Sequence, residues 1–382
     1  MSSLALDPQP TRFWSRVVPD PRAPVRRWHV SPWVDAAAYH WSWLLALVPV
    51  ALVGGPPESW WGVFLAVLAV NFGHRVLTLP YVYLDRQVFA SQPLKFVVVP
   101  GALAALCVAG PFIETSGPLG KTAFGVCAGI AAAWNLWHVL MQKYGILRMY
   151  AAKSEVPVEA RAPAWHDRLL VFAWLPLLPF LLAPHVRGPV ERFFRSGRGY
   201  MPAALDALEA ARPWALPVGA AVVVAALVLW VRGEWRACRL GNPARLSMAL
   251  GTTALNACFL WLDPVMVYLA WGATHAIEYT TFVWAFQRKR YRDPLPHRPL
   301  NQRLLRWPLL YYAFFTLGLG ALYVVLKYWE RTFFPGTPQP ALLGFSAWRW
   351  IASFAVFQSM MHFWFDGFLW KMRVEATRDT VA

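Results

Sequence analysis

The stretch Gln358–Arg373, "QSMMHFWFDGFLWKMR", is apolar enough to lie in a lipid bilayer, yet it carries an amide, an imidazole and a carboxylate. Gln358, His362 and Asp366 follow one another at intervals of four residues. On a helix they therefore share one face, one above the other. Each is costly to place in hydrocarbon, and ionisable groups in membrane helices face a bundle interior or a cavity. The stretch reads as a membrane helix with a polar stripe, and the rest of the chain must supply what that stripe faces.

Working outward, 58% of the 382 residues are hydrophobic and only 15% are charged. The apolar residues are gathered into blocks of about 20, the length of helix that crosses a bilayer core. Ten blocks are read, at roughly 39–55, 60–83, 96–113, 122–147, 169–185, 213–231, 246–262, 264–286, 308–326 and 347–370. The expected fold is all-α, a polytopic transmembrane bundle of about ten helices. Residues 1–38 form an N-terminal segment, 39–371 the bundle and 372–382 a tail. Block 39–55 is short and block 169–185 contains Pro176 and Pro179, so either could be re-entrant rather than spanning. No cleavable signal peptide is expected, and the first apolar block directs insertion.

The net charge of +16 would suggest nucleic acid in a soluble chain. Here the basic residues sit in loops, and the positive-inside rule accounts for them. They precede the first block and follow the second, fourth, sixth, eighth and tenth, for example Arg86, Arg148, Arg245, Arg288 and Lys371. This places both termini in the cytoplasm of a multi-pass protein of a bacterial-type inner membrane. No nucleic-acid partner is expected. The loop with Arg187, Arg192, Arg195, Arg198 and Arg212 runs against the pattern and is expected along the membrane surface. Four cysteines, at 107, 127, 238 and 258, are scattered singly and read as small core residues.

Four histidines lie inside apolar blocks: His74, His138, His275 and His362. In the topology above, all four helices run from outside to inside. Counted to the cytoplasmic flanks Arg86, Arg148, Arg288 and Lys371, the intervals are twelve, ten, thirteen and nine positions, a spread of only about 6 Å along a helix. Four imidazoles thus share one layer in the cytoplasmic half of the bilayer. Each has polar company at helical spacing: Asn71 and Thr78, Asn135 and Gln142, Glu278, and Gln358 with Asp366.

Imidazole and carboxylate together suit iron, zinc or manganese, and a metal offsets the cost of burying the acids. The expected ligands are His74, His138, His275, Glu278, His362 and Asp366, enough for one or two non-haem iron ions or another divalent metal. Asn71, Asn135, Gln142 and Gln358 are expected to orient the rings. Glu278, Asp366 and the neighbouring Tyr279 are the candidate catalytic groups. Arg75 and Arg148 could hold an anionic headgroup, whereas Lys143 and Arg148 also read as plain positive-inside flanks. A buried histidine can instead be satisfied by a neighbouring helix, and His362 with Asp366 could relay protons.

The zincin motif HExxH is absent, as are GxSxG and Walker patterns. No pair of histidines about thirteen residues apart on one helix supports haem. A centre at acyl-chain depth suggests an iron-dependent hydroxylase, desaturase or oxygenase acting on a lipid or other hydrophobic substrate. With no reductase domain fused, a separate electron donor is expected. The segments "HAIEYTTFVW" and "HFWFDGFLWKMR" resemble in style the bacterial carotenoid-cleaving oxygenases of the Brp/Blh type, which bind iron through single histidines on separate membrane helices. More remotely the chain is similar to membrane fatty-acid desaturases and hydroxylases, although it has no HxxxH or HH box. The resemblance implies a mechanism class only. The rival reading is a proton- or metal-coupled transporter using the same cluster. No inverted repeat is visible, and the polar residues form a layer rather than a path.

Overall fold

The computed structural model describes residues 28–55, 59–153, 163–193, 201–236, 242–292, 295 and 299–370. The expected N-terminal segment before Trp28 and the tail after Trp370 lie outside the described residues. The chain is all-α. Among the described residues the sole strand pairing is a two-residue hairpin, Ala341–Leu342 with Phe345–Ser346. Its tight turn places Leu343 and Gly344 at positive φ.

The main helices are α1 (Leu44–Val53), α2 (Trp61–His74), α3 (Pro93–Thr115), α4 (Pro118–Ala152), α5 (Ala164–Phe172), α6 (Leu178–Phe193), α7 (Met201–Arg236), α8 (Pro243–Ala257), α9 (Pro264–Arg290), α10 (Leu319–Lys327) and α11 (Ala347–Leu369). Several starts are set by a proline in the first turn, where a missing N–H costs nothing. Asn242 caps α8 through Arg245 N at 3.2 Å, and Asp263 caps α9 through Val265 N at 2.7 Å. Ser116 and Gly117 join α3 to α4, and the φ of 115° at Gly117 favours glycine.

Among the described residues, five helical stretches are long and apolar enough to cross a membrane, or six if the bent pair Pro32–His40 and Leu44–Val53 is one span. Only 22–33% of each of those five apolar stretches is buried, so their outer faces are apolar as lipid contact requires. Helices α9 and α11 are 27 and 23 residues long, enough to span, but their polar stripes dilute their apolarity.

Local structure refines the expected blocks. Block 60–83 stands as one candidate span, Trp61–Tyr83, but its helix is interrupted after His74, where residues 75–77 run as tight turns before a short helix, Thr78–Tyr83. Pro80 explains the break, because it cannot donate to the carbonyl four residues back and its ring crowds that carbonyl. Pro176 and Pro179 likewise accompany a break between α5 and α6. The basic loop after residue 185 is largely helical, because α6 extends to Phe193 and α7 starts at Met201.

Small residues allow the closest approaches. A methyl group at Gly73 would strike the Thr316 backbone, and one at Gly320 would strike that of Ala69. This reciprocal contact seats α2 against the helical stretch 308–327, as small residues do between membrane helices. Ser353 of α11 donates to the Cys107 carbonyl of α3 at 2.7 Å, beside Gly110.

At the basic end, arginines read as flanking charges are held in ion pairs, and Arg245 is fully buried. Arg245 donates to Glu234 at 2.6 and 2.7 Å, to Asp167, and to the Leu147 carbonyl at 2.8 Å. Asp167 also accepts from Arg148 and from the Trp230 indole, both at 3.0 Å. The network ties α4, α5, α7 and α8 together. Asp85 pairs with Arg290 at 3.0 Å and accepts from the Tyr291 hydroxyl at 2.7 Å.

Candidate metal centre

The helix break puts His74 at the very end of α2, with its ring turned into the bundle. His138, His275 and His362 project from the middle stretches of α4, α9 and α11. The four rings close into a cycle. Centroids are 4.8 Å apart for His74 and His275, 5.1 Å for His275 and His138, 4.9 Å for His138 and His362, and 5.2 Å for His362 and His74. Each ring meets its neighbours nearly edge-on. His74, His275 and His362 are at most 1% exposed, and His138 is 8% exposed.

Both nitrogens of His74 and of His275, and Nε2 of His138 and His362, have no hydrogen-bond partner. Buried polar atoms are nearly always satisfied, so an orphaned set of this size marks a place that could hold a metal ion. Two overlapping donor groups have their ligand atoms within 4.8 Å of one another: His74, His275 and His362, and His138, His362 and Asp366.

Asp366 faces two of the rings with one oxygen and is held by the other. Its Oδ1 accepts from the Tyr279 hydroxyl and the Trp370 indole, each at 2.9 Å. Its Oδ2 points between two rings, 3.5 Å from Nε2 of both His138 and His362. Tyr279 packs edge-on against His362 and His74, and the Thr78 hydroxyl lies 3.3 Å from His362 Nδ1. Trp370 was not among the expected residues. It lies in the stretch quoted first, four residues after Asp366, but an indole at a membrane boundary carries no signal beyond that of an interfacial aromatic.

Other expected residues fall around the cycle. Glu278 is fully buried but turned aside: it pairs with Lys143, accepts from Gln142 at 3.0 Å and from Thr274 at 3.5 Å, and joins neither donor group. Lys143, read as a flank, is only 1% exposed. Gln142 also donates to the His275 carbonyl at 3.0 Å, so it clamps the helix turn rather than a ring. Asn71 donates to the Gly272 carbonyl at 3.1 Å and accepts from Arg75 at 2.7 Å. Arg75 also donates to Ser359, and no described carboxylate pairs with it. Both polar atoms of Gln358 and Oδ1 of Asn135 are buried without partners. Arg148 is committed to Asp167.

No protein-family model matches the chain, and neither a curated protein nor a solved structure was found to be similar to it.

Proposed function

We propose that the chain is an integral membrane metalloenzyme, a non-haem iron oxidoreductase acting on a lipid or other hydrophobic substrate. Its metal would be held by His74, His138, His275, His362 and Asp366. The observation that carries this reading is the ring of four buried imidazoles closing on Asp366, with both nitrogens of His74 and of His275 lacking a side-chain partner. Left unmet, buried polar atoms cost roughly 1–3 kcal/mol each, so packing alone is a poor reason to gather them. A nitrogen-rich set with one carboxylate suits one or two iron ions, with zinc or manganese as alternatives. Rings whose centroids lie about 5 Å apart leave no room for a porphyrin between them. When bound, iron would supply oxidative chemistry on an unactivated chain.

The protein's own groups supply the rest. The burial of three histidines excludes water. Tyr279 and Trp370 hold Asp366 so that its second oxygen faces the rings, and Thr78 steadies His362. Arg75, beside His74 and without a carboxylate partner, is the group suited to an anionic end of the substrate. Glu278, neutralised by Lys143, anchors the turn below His275 rather than serving as a ligand. About ten spans, both termini in the cytoplasm of an inner membrane, and a separate electron donor complete the reading.

The test is metal content of the detergent-purified protein by mass spectrometry, beside a His275→Ala, His362→Ala double variant. One to two iron atoms per chain, lost in the variant, are expected. Zinc in their place would redirect the search to hydrolysis. No metal in either protein would overturn the reading and favour proton coupling through the buried Lys143–Glu278 pair.

A further inference from the structure

A second site lies at the basic end of the bundle, away from the histidines. The C-terminal turns of α9 and the stretch 300–312 enclose a cleft of about 1120 Å³. Gln287, on its wall, follows His275 by twelve residues, roughly 18 Å along the helix. That displacement puts the cleft where the bundle meets the headgroup region.

Arg288, Arg303 and Arg306 line the cleft and are solvent-exposed. Arg292 lines it too, and among the described residues no aspartate or glutamate does. Elsewhere at this end of the molecule arginines are met by carboxylates, Arg290 by Asp85 and Arg245 by Glu234 and Asp167. Arg303, near the end of the short helix Leu300–Leu304, and Arg306 are joined by one turn, in which the Arg306 N–H donates to the Arg303 carbonyl at 3.2 Å, so both line the same wall of the cleft. Arg288 rests over the Trp284 ring, 5.4 Å from its centroid, which holds its fork in place.

Gln287 provides the independent observation. It is fully buried, and its Oε1 accepts from the Tyr312 hydroxyl. Its Nε2 makes no hydrogen bond of good geometry, although it neighbours the Tyr311 hydroxyl, and the residue lines the cleft. A buried amide donor fixed in orientation beside several guanidinium groups is a set of N–H donors waiting for a multivalent oxyanion. Tryptophans 284 and 307 give the walls apolar faces suited to glycerol or acyl carbons.

We infer that this cleft binds a phosphate ester, with Gln287, Arg288, Arg303 and Arg306 as donors to its oxygens. The phosphate belongs either to an anionic lipid headgroup or to a soluble phosphoester. The inference does not depend on the metal centre.

The experiment measures binding to the full chain purified in a neutral detergent. The probes are phosphatidylglycerol and phosphatidylcholine in mixed micelles, and glycerol 3-phosphate in solution. An Arg303→Ala, Arg306→Ala variant is compared with wild type. A matched Arg232→Ala, Arg236→Ala variant removes the same charge from the same end of the bundle but outside the cleft. Gln287→Leu, which keeps the side chain's size, tests the buried donor.

Saturable binding is expected, weakened at least about tenfold in the cleft double variant and in Gln287→Leu but not in the matched variant. Binding of phosphatidylglycerol alone assigns the phosphate to lipid, and binding of glycerol 3-phosphate assigns it to a soluble ester. Equal weakening in both double variants would mean diffuse charge attraction and would overturn the site. So would an absence of saturable binding by any of the three probes.

Discussion

Glu278 and Asp366 show how two acids at similar depth are given different work by their neighbours. Asp366 spends one oxygen on neutral donors, Tyr279 and Trp370, and leaves the other between two imidazoles. Glu278 meets a full positive charge, Lys143. Breaking a buried pair from one side strands the remaining charge, typically at about 3–5 kcal/mol, whereas replacing both partners can be near neutral. Lys143→Met is therefore expected to lower thermal stability strongly, and Lys143→Met with Glu278→Leu to recover most of it with metal retained. Thermal unfolding and metal content on the four members of the cycle check this. Loss of metal in the stable double variant would return Glu278 to the ligand set. The histidine layer was legible in the sequence because helical spacing and distance to the basic flank fix face and depth. The roles of Glu278, Lys143 and Arg148 were not legible, since spacing gives the face of a helix but not which neighbour a side chain meets.

At the level of elements, the site depends on how α2 is seated. The break that ends α2 at His74 is written in Pro80, but the contact that fixes α2 laterally is not. Gly73 and Gly320 read in sequence as ordinary membrane glycines, and only the packed structure reveals that Gly73 meets the Thr316 backbone and Gly320 that of Ala69. Gly73→Ala and Gly320→Ala are each expected to destabilise by about 1–3 kcal/mol, because a methyl would meet backbone that cannot swing away. Gly73→Ala should also loosen metal retention against a chelator, because it adjoins His74. The segment before α1 carries a pH-dependent latch. His29 pairs with the Tyr39 hydroxyl at 2.8 Å, and its backbone N–H donates to Asp35. Burial, and then Lys153 and Lys289, push its pKa down to about 3. An unfolded histidine titrates near 6.5, so the released segment takes up a proton that the docked one refuses. The latch is fully stabilising above about pH 6.5 and weakens as pH falls toward 3. Hydrogen exchange over residues 28–35, corrected for intrinsic rates, should rise from pH 7 to pH 4.5. His29→Phe should remove most of that rise.

At the scale of the whole molecule, the chain is polar where a membrane protein is usually apolar and apolar where a soluble one is polar. The outward faces of its most apolar helices are hydrocarbon, and its centre holds four imidazoles and two acids. The helices that carry His275 and His362 are the ones whose apolarity falls short of a simple span. Counting spans by hydropathy therefore misses two of the four helices that carry the buried histidines, while the positive-inside pattern still includes them. That pattern assigns Ser91, near Arg86 and Lys95, to the cytoplasmic end, and Ser116, in the turn between α3 and α4, to the opposite end. Both side chains are exposed, and α3 separates them by 23 residues, roughly 35 Å, about one bilayer thickness. In a background with the four native cysteines replaced, Ser91→Cys should react with an impermeant maleimide in inverted vesicles only. Ser116→Cys should react in right-side-out vesicles only. The reverse pattern would move the histidine layer and the arginine cleft to the far side of the membrane, out of reach of cytoplasmic reductants. Labelling of both positions from one side would mean that α3 does not span, and the depth argument that aligned the four histidines would fall with it.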